Sequence, residues 1–252
     1  MGEAQAMLTL FSYPGLCGLA DNNPFGLKVH AFLVLSKVAF RHEHVMDASD
    51  APRGQLPYII DGTGRLGDSD AIIAHVTRHY PPTIDDGPTA EQHARGFLIG
   101  RVLDDLYWVM SYSRWRDDRF WPSFRDTFRR AYPAVTAEML QAARDHNFRR
   151  YDYQGIGRYD AEAAYARGCA DLDAIARLLP DHGFMFGVAP RSVDCAIHGF
   201  VANIIAFDID TPLKRCVLAH PPLAAHVASM QEMLNDAGAG AGGALTDSAC
   251  PR

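Results

Sequence analysis

Asn23-Pro24-Phe25-Gly26 is the stretch from which the rest of the chain is read. Asn is a favoured helix N-cap, and Pro fits the first helical position, where its missing N–H costs nothing. Phe25, Val29, Phe32 and Leu33 then fall on one helical face. Upstream, Leu8-Thr9-Leu10-Phe11-Ser12-Tyr13 reads as a strand. Downstream, residues 39–46 alternate in part and read as a second strand. Tyr58-Ile59-Ile60 followed by Asp61-Gly62 is a hairpin signal. Strand, helix, strand and hairpin make an α/β unit.

Asp68-Ser69 opens a further helix, with Ile72, Ile73 and Val76 as its apolar stripe and Pro81-Pro82 as its stop. Residues 81–88 are rich in Pro, Asp, Thr and Gly and read as a linker. Helical periods dominate afterwards. Leu98, Val102, Leu106, Val109 and Met110 form a stripe within residues 90–113. Further helices are expected near 122–148, 160–179, 193–207 and 221–236. The expected layout is an α/β domain over residues 1–82, an all-helical domain over 89–237 and a Gly/Ala-rich flexible tail over 238–252.

The chain has 252 residues, 48% hydrophobic and 21% charged, which suits one or two folded domains and excludes a wholly disordered chain. A net charge of −6 argues against a globally basic nucleic-acid binder. No apolar run reaches the roughly 18 residues of a membrane span. The first residues lack the order of a secretory signal. The five cysteines, Cys17, Cys169, Cys195, Cys216 and Cys250, are odd in number and widely spread, with no CxxC. Neither a zinc ribbon nor a disulfide framework is indicated, so a cytoplasmic location is expected.

Three short motifs carry the chemistry. The first turn of the helix at Pro24 presents backbone N–H groups and the positive end of a dipole, and Asn23 adds side-chain N–H donors. A thiolate placed there is stabilised. In Gln55-Leu56-Pro57-Tyr58, a proline ahead of a short strand suggests a rigid, cis Leu56-Pro57 bond. Such a bond frees the Leu56 backbone for a peptide-like ligand. In Gly67-Asp68-Ser69-Asp70, Ser69 offers its hydroxyl and nearby amides to a carboxylate, and Asp68 offers a carboxylate to an ammonium. Together these read the head group of an α-amino acid. Each motif on its own also fits an ordinary cap or edge-strand proline.

In this order the three motifs resemble the glutathione transferase family. That family carries a Cys/Ser-Pro turn before its first helix, a cis-proline and a Glu/Asp-Ser pair opening a later helix. Gly155-Ile156-Gly157-Arg158, Ala170-Asp171-Leu172, Phe186-Gly187, Ser192-Val193-Asp194 and Pro221-Pro222-Leu223 resemble its metaxin and failed-axon-connections branch. The resemblance implies a thioredoxin-like domain followed by an all-helical one, a homodimer, and glutathione as co-substrate without a metal. It implies that Leu56 and Pro57 meet the cysteinyl backbone of glutathione and that Asp68 and Ser69 hold its γ-glutamyl end. Arg53 or Gln55 approaches the glycyl carboxylate. Trp108, Tyr112, Trp115 and Trp121 become walls of a pocket for a small electrophile. The function implied is transfer of the glutathione thiolate to that electrophile; the alternative is a non-catalytic, metaxin-like interaction protein.

Position 23 departs from the family. Asn has no hydroxyl proton and cannot attack a disulfide, but it donates N–H to sulfur. Tyr13 is a second candidate beside the sulfur, through its hydroxyl, and Cys17 a third, through a mixed disulfide. At the helix starting near Ser192, Arg191 stands where many relatives place Thr or Ser, which leaves Ser192 as the expected cap.

Other signals carry less. Gly238-x-Gly240-x-x-Gly243 spells a dinucleotide fingerprint but follows a helix rather than a strand. His75 and His79 have a metal-ligand spacing without a third ligand. His42 and His44 share a strand face and read as surface residues. Asp104-Asp105 and Asp117-Asp118 are neighbours that point apart on a helix. Residues 114–158 hold ten Arg and six acids, interleaved with aromatics. A salt-bridged helical face with Arg stems lying over the rings is favoured there over a nucleic-acid surface.

Overall fold

The computed structural model describes residues 7–240, and side chains up to Ala237. The first half runs β1 (Leu8–Ser12), α1 (Pro24–Leu35), β2 (Phe40–His44), β3 (Tyr58–Asp61), β4 (Gly64–Gly67) and α2 (Ser69–His79). The strands form one sheet in the order β2-β1-β3-β4. β1 pairs parallel with β2, Leu8 opposite Phe40, and antiparallel with β3, Leu10 opposite Ile59. β3 and β4 are the hairpin expected from Asp61-Gly62, with Asp61 opposite Gly64. This is the thioredoxin-like arrangement.

α1 begins as its sequence predicts: Asn23 is extended, and its side-chain oxygen accepts the Phe25 N–H at 3.0 Å. The helix is buried on nearly every side, including Lys28 and His30. One side packs on Leu8, Leu10 and Ile59 of the sheet and on Ile72 and Val76 of α2.

The second half is all helical: α3 (Ala90–Trp115), α4 (Trp121–Ala131), α5 (Ala137–Gln154), α6 (Ala161–Leu178), α7 (Ser192–Ile205), α8 (Pro212–Leu218) and α9 (Pro221–Gly240). Its core joins Leu103, Leu106 and Val109 of α3 to Leu172 and Ile175 of α6 and Ile197, Phe200 and Val201 of α7. Two differences from the sequence reading stand out. The single helix expected near 122–148 is broken between α4 and α5, because Pro133 supplies no N–H and pushes Tyr132 out of helical geometry. The short α8 was not anticipated, although Thr211 caps it by accepting the Lys214 N–H and Pro212 opens it. α5 ends on Gly155 at φ 107, a left-handed position that suits glycine. The expected tail falls mostly outside the described residues, where α9 is followed to Gly240. The Gly-rich fingerprint runs past that point as well.

The halves meet where α7 lies across α1. Gly199 allows the approach: a Cβ there would stand 2.5 Å from the Pro24 carbonyl oxygen and 3.1 Å from the Lys28 nitrogen. Both are backbone atoms and have nowhere to go. Gly199→Ala is therefore expected to cost about 1–3 kcal/mol, the usual penalty of overpacking. A denaturant midpoint equal to wild type would contradict this close approach.

The linker is pinned to α7. Arg191 donates to the Ile84 and Asp86 carbonyls at 3.0 and 2.7 Å. The Asp85 carboxylate accepts the Ser192 N–H at 2.9 Å. Ser192 is thus the first helical residue rather than the cap, and a linker carboxylate satisfies its amide.

Candidate functional site

Four chain segments, the start of α1, the chain before β3, the start of α2 and one face of α3, converge on one open cleft of about 170 Å³. Arg53, Gln55, Leu56 and Pro57 come from the chain before β3, and Asp68 and Ser69 from the start of α2. All six belong to the set the sequence singled out. The Leu56-Pro57 bond is cis. Among the described residues the Leu56 N–H and C=O have no hydrogen-bond partner, so both are available to a peptide-like ligand.

Asp68 sits at φ 80, a left-handed value that is uncommon outside glycine and its short polar substitutes. From there one carboxylate oxygen caps α2, accepting the Asp70 and Ala71 N–H groups at 3.0 and 3.1 Å. The other accepts from Arg53 at 3.0 Å. Partial burial pushes the Asp68 pKa up, but the Ala71 amide, Arg53 and the Asp70 amide outweigh it and hold it below the usual carboxylate value. Asp68 is therefore an anion at neutral pH.

Sequence reasoning missed four residues of the lining: Phe25, Asp70, Arg101 and Asp104. Arg101 reaches over from α3, bonding Asp70 at 2.9 Å and Asp104 at 3.0 Å. The helical half thus contributes to the cleft. Behind the lining, the buried Lys28 ammonium donates to Ser69 Oγ at 3.1 Å and to the Asp70 carboxylate. A lone lysine inside an apolar helix was the available signal.

Asn23 and Tyr13 are not among the lining residues, although Phe25, two residues after Asn23, is. Tyr13 packs with Leu56 and Tyr58. Burial, with Tyr107 and Asp21 nearby, raises its pKa, so it remains a protonated phenol at neutral pH. Asp21 lies under the same turn, wholly buried, and its carboxyl accepts the Asn23 N–H at 2.6 Å. Burial pushes the Asp21 pKa well above the ordinary value. Cys17 packs against the cluster of Trp121, Phe124 and Phe128 and is not among the lining residues.

The aromatic residues proposed as a wall divide between different surroundings. Tyr112 is buried in the helical core against Tyr151 and Tyr165. Trp115 packs against Trp121 and Phe124 in a separate cluster. None of these lines the cleft. Tyr107 instead meets Phe25, with ring centroids 5.1 Å apart, and Trp108 adjoins Tyr107. Arg150 lies over both rings, 5.9 and 5.1 Å from their centroids.

The remaining candidates have structural partners. His75 bonds Asp61 and His79 bonds its own helix. His42 bonds the buried Ser12 and stacks near His44. Asp104 and Asp105 point to Arg101 and Arg167, and Asp117 and Asp118 to Arg119 and Arg144. Arg116, Arg119, Arg144 and Arg150 lie over aromatic rings of the helical half. Among the described residues no group of three or more His, Cys, Asp or Glu could hold a metal, and no helix is long and apolar enough to cross a membrane.

A thioredoxin-like sheet whose cis-proline edge faces a helix N-terminus, followed by a helical bundle, defines a class of fold. Residues 24–120 match the family model for the glutathione S-transferase N-terminal domain, and residues 168–230 that for the glutathione S-transferase C-terminal domain. The chain belongs to the glutathione S-transferase superfamily. It is 29% identical over 207 residues to an isoprene-epoxide–glutathione S-transferase of Rhodococcus sp. (strain AD45), covering 79% of this chain and 87% of the relative. It is 25% identical over 235 residues to Failed axon connections of Drosophila melanogaster, covering 85% of this chain and 54% of that longer protein. Among solved structures, glutathione transferase GSTFuA3 from Phanerochaete chrysosporium superposes with a TM-score of 0.59 at 16% identity, over 91% of this chain and 97% of that one. A glutathione S-transferase of Methylobacillus flagellatus with glutathione bound also gives 0.59, at 14% identity over 91% and 98%. These similarities in structure establish the fold.

Proposed function

We propose that the chain is a glutathione transferase that holds glutathione in this cleft and transfers its thiolate to a small electrophile. The observation that carries the reading is the convergence of Arg53, Gln55, Leu56, Pro57, Asp68 and Ser69 on one cleft beside the opening of α1. The cysteinyl backbone pairs with the free Leu56 N–H and C=O. The γ-glutamyl carboxylate meets the Ser69 N–H and hydroxyl, and its ammonium meets Asp68. Arg53 or Gln55 approaches the glycyl carboxylate. The sulfur then lies toward the first turn of α1, where amides and the Asn23 side chain favour the thiolate.

The electrophile side is the surface of Tyr107, Trp108 and Arg150. The relative that acts on an isoprene epoxide points to a small epoxide as the electrophile class. The thiolate forms a C–S bond as the ring C–O bond breaks, and the electron pair moves to oxygen. The protonated Tyr13 phenol or a water supplies the proton. Activation is electrostatic, with no covalent enzyme intermediate. A cytoplasmic homodimer belongs to the same proposal; Phe97 and Leu98 of α3 are exposed, at 63 and 62%, within a helical turn of Arg101.

The test is conjugation of glutathione to a small epoxide, together with thiolate absorbance of the bound cofactor. Asn23→Ala should raise the pKa of bound glutathione and cost about 1 kcal/mol of stability through the lost cap. An unchanged thiol pKa would remove Asn23 from the mechanism. The likeness to Failed axon connections favours a second reading, a non-catalytic interaction module. Glutathione binding without any conjugation across a panel of epoxides would favour it.

A further inference from the structure

We propose that Lys28 is a positioning residue of the cleft: it aims the Ser69 hydroxyl proton at the α-carboxylate of the ligand and places a cation behind it. The proposal rests on the reading that the cleft takes glutathione. It names which ligand group Lys28 serves.

The geometry is specific. The Lys28 side chain is only 9% exposed and its ammonium stands 3.1 Å from Ser69 Oγ. An ammonium can only donate, so the serine oxygen is the acceptor. The single hydroxyl proton of Ser69 must then go elsewhere. Among the described residues it has no acceptor, and Ser69 lines the cleft. Lys28 thus fixes a donor pointing into open space. The second ammonium partner, Asp70, also accepts from Arg101, so the acid next to Ser69 is shared by two cations. The free Ser69 N–H and its free O–H, with the Lys28 ammonium behind them, suit a carboxylate.

The burial itself argues for a task. Taking an ammonium out of water is costly, and an apolar side chain of similar length would pack α1 more stably. Gly199, on α7, leaves room for the backbone at Lys28, with a notional Cβ 3.4 Å from Lys28 Cβ. The lysine is therefore held from both sides, by α7 on its backbone and by α2 on its ammonium.

The test pairs a protein change with a ligand change. Glutathione and 4-aminobutanoyl-Cys-Gly, which lacks only the α-carboxylate, are titrated by calorimetry into wild type, Lys28→Met and Ser69→Ala. Wild type is expected to bind glutathione at least tenfold more tightly than the analogue. Lys28→Met should weaken glutathione at least tenfold and the analogue less than twofold. Ser69→Ala should show the same selective loss, and it serves if Lys28→Met does not fold. Equal losses for both ligands would make Lys28 a structural strut and overturn the inference while leaving glutathione binding intact. Failure of wild type to bind glutathione would overturn the reading of the cleft and this inference with it.

Discussion

Asp194→Ala is expected to destabilise the protein by about 3–5 kcal/mol, the penalty for breaking a buried charged group away from its partners. The Asp194 carboxylate has no exposure. It accepts the Met185 and Arg191 N–H groups at 2.8 and 2.9 Å and lies 2.9 Å from His226 Nε2. Alanine would leave the two amides and the buried His226 imidazole without this partner. Domains of this kind are held by only about 5–15 kcal/mol, so the change removes a large fraction of the total. The consequence reaches the cleft, because α7 carries Gly199 against α1 at Lys28 and anchors the linker through Arg191. Guanidinium unfolding reads the effect directly. Asp194→Asn keeps one acceptor and should fall between. A loss below about 1 kcal/mol for the alanine variant would contradict the role assigned to this carboxylate.

The second large effect is with pH. Burial lowers the pKa of His30 to about 4 and of His42 and His198 to about 3. In the folded chain these imidazoles are neutral at pH 5; in the unfolded chain, with an ordinary value near 6.5, they are charged. Their contribution is fully present above pH 6.5 and is lost as pH falls toward 4. Asp21 works the other way. Burial makes its carboxyl hold a proton more tightly in the folded chain than in the unfolded one, so acid relieves its penalty. Unfolding binds up to three protons at these imidazoles, and Asp21 opposes part of that uptake. At about 1.36 kcal/mol per proton per pH unit, stability should fall between pH 6 and 4 with a slope of at most about 4 kcal/mol per unit. Denaturant midpoints across that range test it. A flat profile would mean that the imidazoles are charged inside the fold, and His198→Phe should flatten the slope by about one proton.

What the sequence revealed of the site was local, and so was what it missed. The starts of α1 and α2 are set by a cap and its neighbours, and the cis-proline by two adjacent residues, so Asn23-Pro24, Leu56-Pro57 and Asp68-Ser69 could be read directly. Lys28 and Arg101 meet Ser69 and Asp70 across 41 and 31 residues of chain, a distance that no local rule spans. The aromatic residues of α3 were less legible for a different reason. Periodicity groups Trp108, Tyr112 and Trp115 on α3 but does not say what that face meets. Packing turned Tyr112 into the core and left Tyr107 beside Phe25. Thr211-Pro212 carried the same start signal as Asn23-Pro24, yet only seven residues of α8 followed it, too few for a period to show.

Calorimetric titration with reduced glutathione tests the central claim most directly. The account predicts measurable heat for the wild type and a rise in melting temperature that grows with the logarithm of ligand concentration above Kd. It also predicts that Ser69→Ala weakens both signals together. No heat and no thermal stabilisation at millimolar glutathione would contradict it.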